Sequence, residues 1–130
     1  MNSGQNIQYD LETRLVDFAV RVIETVEALP ATRTGNHIGG QLLRSGTSPA
    51  PNYGEAQSAE SRKDFVHKIK IVLKELRETK VWLKIICRKS LAKSSSAVDA
   101  LTAECDELIS IFVASVKTAE KNRNKKTREV

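Results

Sequence analysis

Proline and glycine are confined almost entirely to one stretch of this chain. All three prolines (Pro30, Pro49 and Pro51) lie between Pro30 and Gly54, and so do all the glycines except Gly4. On either side run long segments with nothing to break a helix. A chain without turn formers at short intervals cannot make the frequent reversals of a β-sandwich or barrel. In those segments apolar residues recur at steps of three and four, the helical period, and no useful run alternates with period two. The expected fold class is therefore all-α.

The spacing predicts a first helix from about Asp10 to Leu29, with Leu11, Leu15, Phe18, Val22, Val26 and Leu29 on one stripe. Pro30 ends it, because the residue before proline avoids helical angles. A second helix is expected from near Gly35, carrying Ile38, Leu42 and Leu43. Its interruption falls at residues 45–51, with Ser48 as N-cap and Pro49 in the first turn of a restarted segment that ends near Glu60. The third helix, from Ser61 to about Lys89, opens on Ser61 and Asp64, a variant of the capping box. Its stripe is Phe65, Ile69, Val72, Leu76, Thr79, Leu83 and Ile86. After a Lys93–Ser96 connection, a fourth helix capped by Ser96 carries Val98, Leu101, Cys105, Leu108, Phe112, Ser115 and Ala119. Regular 4-3 seams joined by short links predict an antiparallel four-helix bundle with a kinked second helix. The bundle domain is expected over residues 10–120, after a disordered N-terminus at 1–9 and before a basic, fraying tail at 121–130.

A chain of 130 residues suits one such domain. With 28% charged residues and no apolar run near ~20 residues, no membrane span is expected. The polar Met1–Asp10 segment has no secretory signal pattern, which makes the cytoplasm the default location. Cys87 and Cys105 are too few to staple a fold of this size and are read as reduced packing residues.

The formal charge of +5 is unevenly placed. From Met1 to Ser61, Arg14, Arg21, Arg33 and Arg44 face a larger number of acids, whereas from Arg62 to Lys93 only Asp64, Glu75 and Glu78 offset a long series of cations. Lys121, Arg123, Lys125, Lys126 and Arg128 follow near the C-terminus. At about 100° per residue, Lys63, Lys70, Lys74, Arg77, Lys84 and Arg88 fall within roughly a quarter turn of the third helix, opposite its core stripe. Such an arc attracts nucleic acid or another polyanion by counterion release. A solvated cationic face also does no more than keep a protein soluble.

Between arc and stripe lie Ile71, Glu78, Trp82 and Ile85, with Glu75. Two readings stay open for Trp82: a widened core stripe, or a subunit interface, where buried tryptophan is over-represented. Catalytic patterns are missing. His37 and His67 have no partners at metal-ligand spacing, residues 35–40 form no phosphate loop, and no serine sits in a nucleophile elbow. The chain is expected to be no enzyme, with no metal, no cofactor and no small-molecule substrate.

The segment Gln41-Leu42-Leu43-Arg44-Ser45-Gly46-Thr47-Ser48-Pro49-Ala50-Pro51-Asn52-Tyr53-Gly54-Glu55-Ala56 carries a family pattern. With Ser61-Arg62-Lys63-Asp64-Phe65 and the Glu75, Glu78, Trp82, Leu83 series, it resembles the four-helix bundle proteins encoded in intervening sequences of bacterial 23S ribosomal RNA genes. The chain is also similar to the accessory protein of diversity-generating retroelements, a basic pentamer associated with nucleic acid. Two prolines at 49–51 and the Tyr53-Gly54 pair depart from the commoner pattern. The resemblance implies a bundle that assembles as a ring-shaped homopentamer, and gives Arg44, Ser48, Pro49, Asn52 and Glu55 as its structural motif. The expected function is a non-enzymatic homo-oligomer with a basic surface for RNA or DNA, of low sequence specificity. Its rival is a protein-interaction module with no nucleic-acid ligand.

Overall fold

The computed structural model describes the backbone of residues 7–129 and the side chains of residues 11–122. The described backbone is helical, without strands: α1 (Ile7–Glu27), α2 (Arg33–Thr47), α3 (Pro49–Gln57), α4 (Arg62–Lys89) and α5 (Ser95–Glu129). Helices α2 and α3 are the two pieces of one interrupted element, which leaves a bundle of four. On α4 and α5, Cys87 meets Asp99, Lys80 meets Asp106 and Lys70 meets Glu120. On α1 and α5, Arg14 reaches Glu104 and Glu107.

The expected stripes form the core. Leu15, Phe18, Val22, Leu42, Ile69, Val72, Leu76, Leu83, Ile86, Leu101, Leu108 and Phe112 are essentially sealed from solvent. Leu11, Val26, Leu29 and Phe65 are half-buried against them. Leu43, placed with the core of its helix from sequence, instead turns outward. The seam between α2 and α4 carries a polar link: the buried Thr79 hydroxyl donates to Ser45 Oγ at 2.9 Å and lies 2.8 Å from the Glu75 carbonyl. That pairing satisfies hydroxyls that would otherwise destabilise a buried site.

Glycines let α1 and α2 approach closely. A Cβ at Gly46 would come 2.7 Å from the Val22 methyls, and one at Gly35 would come 2.0 Å from the Pro30 carbonyl oxygen. Gly46→Ala is therefore expected to destabilise the fold by about 1–3 kcal/mol, the usual penalty of overpacking. Urea unfolding measures it, and unchanged stability would mean that the two helices do not meet there.

Several local expectations are corrected. Helix α1 starts at Ile7, inside the segment read as disordered, because no breaker follows Gly4. Ser61 caps α4 as expected, its Oγ accepting from the Asp64 amide at 3.0 Å. Ser94, not Ser96, accepts from the Ala97 amide at the start of α5. Ser48 has helical angles (φ −73°, ψ −36°) and makes no side-chain cap. The break there comes from Pro49 and Pro51, which cannot donate to the preceding turn. Asn52 does not cap an orphan amide: its Nδ2 donates to the Ser48 carbonyl at 3.0 Å and to Ser48 Oγ at 2.9 Å. Glu55 pairs with Lys68 of α4 at 3.2 Å. Asn52→Ala is expected to lower stability by about 1 kcal/mol, one side-chain hydrogen-bond set. Thermal unfolding checks it, and a variant as stable as its parent would contradict it. Helix α5 continues to Glu129 where a fraying tail was expected, since its end contains good helix formers and neither glycine nor proline.

Candidate nucleic-acid interface

Burial of Ile69, Val72, Leu76, Thr79, Leu83 and Ile86 fixes the rotation of α4 and aims its opposite side outward. Lys63, Lys70, Lys74, Arg77, Lys84 and Arg88 are all exposed there. From Lys63 to Arg88 the arc extends about 38 Å at 1.5 Å per residue. Two cations on the flanks of α4, Lys68 and Lys80, behave differently. Lys68 is paired with Glu55, and Lys80 lies 2.5 Å from Asp106 of α5. Among the described residues, Lys63, Lys74, Arg77, Lys84 and Arg88 have no ion-pair partner, while Lys70 lies 2.6 Å from Glu120. Both members of that pair are well exposed, so it holds Lys70 only weakly. Lys121 is exposed on α5. The side chains of Arg123, Lys125, Lys126 and Arg128 lie outside the described residues.

The residues read as a second strip on α4 separate into two groups. Arg44 of α2 reaches across to Glu75 at 3.2 Å and also binds Glu78. The Trp82 indole donates to Glu78 Oε2 at 3.0 Å, and the His37 ring meets Trp82 edge-on at 6.3 Å. Glu78 and Trp82 are thus engaged within the chain, where they fasten α2 to α4, and Ile71 is half-buried. Ile85 is open to solvent, and Val81, at the middle of the cationic arc, is 53% exposed.

Sequence reading missed a further apolar surface. Val16, Val20 and Ile23 of α1 are 48%, 46% and 39% exposed, and Leu43 of α2 is 39% exposed. The signal was available, since Val16, Val20 and Ile23 fall outside the Leu11–Leu29 stripe yet share a face of their own.

Burial pushes the Cys105 thiol up to about 12, and its sulfur packs against the Leu76 carbonyl, so it carries no nucleophilic thiolate at neutral pH. Among the described residues no cluster of His, Cys, Asp or Glu is arranged to hold a metal ion. An open groove between α1, α4 and α5 is lined by Leu11, Phe65, Ile111 and Ala114, with Glu60 and Arg62 the charged residues on it. No helix among the described residues is long and apolar enough to cross a membrane.

A comparison with curated proteins finds no match. A crystal structure of a protein of unknown function from the S23 ribosomal protein family of Bacteroides thetaiotaomicron has the same fold, with a TM-score of 0.76 and 30% identity. The match covers 82% of this chain and 98% of that one. Residues 9–114 match the family model described as 23S rRNA-intervening sequence protein. With that match spanning both the Arg44–Glu55 motif and the Glu75–Trp82 cluster, this chain belongs to the 23S rRNA-intervening sequence protein family.

Proposed function

We propose that this antiparallel four-helix bundle is a non-enzymatic, self-associating protein that presents the α4 arc to RNA or DNA. One observation carries the reading: of the six cations on the outward arc only Lys70 has an ion-pair partner among the described residues, whereas Lys68 and Lys80, on the flanks of α4, are each paired with an acid. A helix that needed charge only for solubility would have both signs interspersed. The N-terminal part of the arc, from Lys63 to Lys74, is about 17 Å long and follows roughly five phosphates of one strand at 3.4 Å spacing. Contacts are to the backbone. The chain is 5% aromatic, and no tyrosine, phenylalanine or tryptophan lies within the arc to stack a base. Sequence preference is therefore weak, and assembly multiplies weak contacts from each subunit into avidity.

The reading is tested by retention of generic DNA and RNA oligonucleotides of about twelve nucleotides at low ionic strength. Retention of both, lost as salt rises, supports it. Indifference to nucleic acid at every salt concentration overturns it and leaves a protein partner as the ligand of the arc.

A further inference from the structure

The exposed arc of α1 is a charge mirror of the arc on α4. Around Val16, Val20 and Ile23 it carries Glu12, Asp17, Glu24 and Glu27 and no cation. Arg14 and Arg21 point elsewhere, Arg14 to Glu104 and Glu107 and Arg21 onto a cleft against the start of α5. On α4, Val81 and Ile85 are exposed beside Arg77, Lys84 and Arg88, and the one acid within a turn of Val81, Glu78, is held by Arg44 and the Trp82 indole. Helices α1 and α4 each pack against α2, α3 and α5, and no direct contact between them is found among the described residues. The two surfaces therefore sit on separate sides of the bundle.

We infer that the α1 surface of one copy docks on the Val81–Ile85 surface of the next, as a head-to-tail contact between identical chains. The inference rests on the self-association proposed above and supplies its two mating faces. Isolated exposed apolar residues need no explanation, but three on one arc ringed by a single charge sign form an interaction surface. Pairing the α1 face with itself would set Glu24 and Glu27 against their own copies, and pairing the α4 face with itself would oppose arginine to arginine. Each like-charge arrangement is unfavourable, whereas the mixed pairing is complementary. A contact between different faces is heterologous and closes into a ring when the rotation permits. The contact occupies the C-terminal half of the α4 arc, so Lys63, Lys70 and Lys74 remain for a polyanion.

Sedimentation velocity on face-specific variants tests this. Val20→Asp damages only the α1 face, and the double variant Val81→Asp with Ile85→Asp damages only the α4 face. Each alone is expected to be monomeric, its dissociation constant raised by at least about thirtyfold, the loss typical of an interface hot spot. An equimolar mixture of the two should form dimers, because one intact pair of faces survives. Circular dichroism reports retained helicity. Should an aspartate variant unfold, Glu24→Lys with Glu27→Lys, mixed with Lys84→Glu and Arg88→Glu, repeats the test through charge alone. If the parent assembles and either face variant assembles equally well on its own, or if the mixture of the two variants stays monomeric, the docking faces are overturned and self-association is left intact. A monomeric parent overturns both.

Discussion

Phe112→Ala is expected to lower the unfolding free energy by about 3–5 kcal/mol, the range for deleting a fully buried aromatic side chain. Phe112 is 0% exposed and sits where α5 faces α3, its ring edge-on to Tyr53 at a centroid distance of 5.6 Å. Tyr53 belongs to the short α3, whose nine residues could not hold a helix alone and pack chiefly on α4 and α1. Removal of the ring leaves a cavity and takes away the edge-on partner of the Tyr53 ring. A single domain is stable by only about 5–15 kcal/mol, so the variant should be unfolded or nearly so at moderate temperature. Equilibrium urea unfolding measures the change. A loss under about 1 kcal/mol would mean that the α3–α5 contact is not part of the core.

The second large effect concerns binding. Lys63→Glu, Lys70→Glu and Lys74→Glu together are expected to abolish retention of DNA and RNA, while helicity and sedimentation stay those of the parent. Three cations become three anions on one side of a helix whose packing they do not touch. Each lost phosphate contact also removes its share of counterion release. Deleting residues 121–130 should weaken binding less, since the α4 cations Lys63, Lys70 and Lys74 stay in place. A triple variant that binds like its parent would remove α4 as the nucleic-acid surface.

Much of the fold was legible because α1, α4 and α5 each carry a core stripe with a clean helical period. The Ser61 cap was legible too, as Asp64 stands at the right offset. At the start of α5 the run Ser94-Ser95-Ser96 offers equivalent caps one residue apart, and only packing selects Ser94. Trp82 was ambiguous for a different reason. Helical periodicity gives the angular position of a side chain but not which neighbour covers it, and here α2 brings Arg44 and His37 over that flank. Asn52 was misassigned because the Asn52–Glu55 spacing imitates a capping box, while the two prolines had already dictated an interruption with Ser48 still helical. The cationic arc could be laid out from sequence. That Lys80 and Lys68 are neutralised and the arc is not depends on where α3 and α5 lie, which is tertiary information.

The central claim is most directly tested by the salt dependence of affinity for a fluorescent twelve-nucleotide strand, followed by anisotropy. Each phosphate neutralised contributes a slope of about −0.7 to log K against log salt for a single strand. Three contacts from Lys63, Lys70 and Lys74 on each subunit therefore predict a slope of about −2 or steeper, falling towards zero in the triple glutamate variant. A parent whose affinity does not change with salt, or which does not bind at all at low ionic strength, would contradict the account.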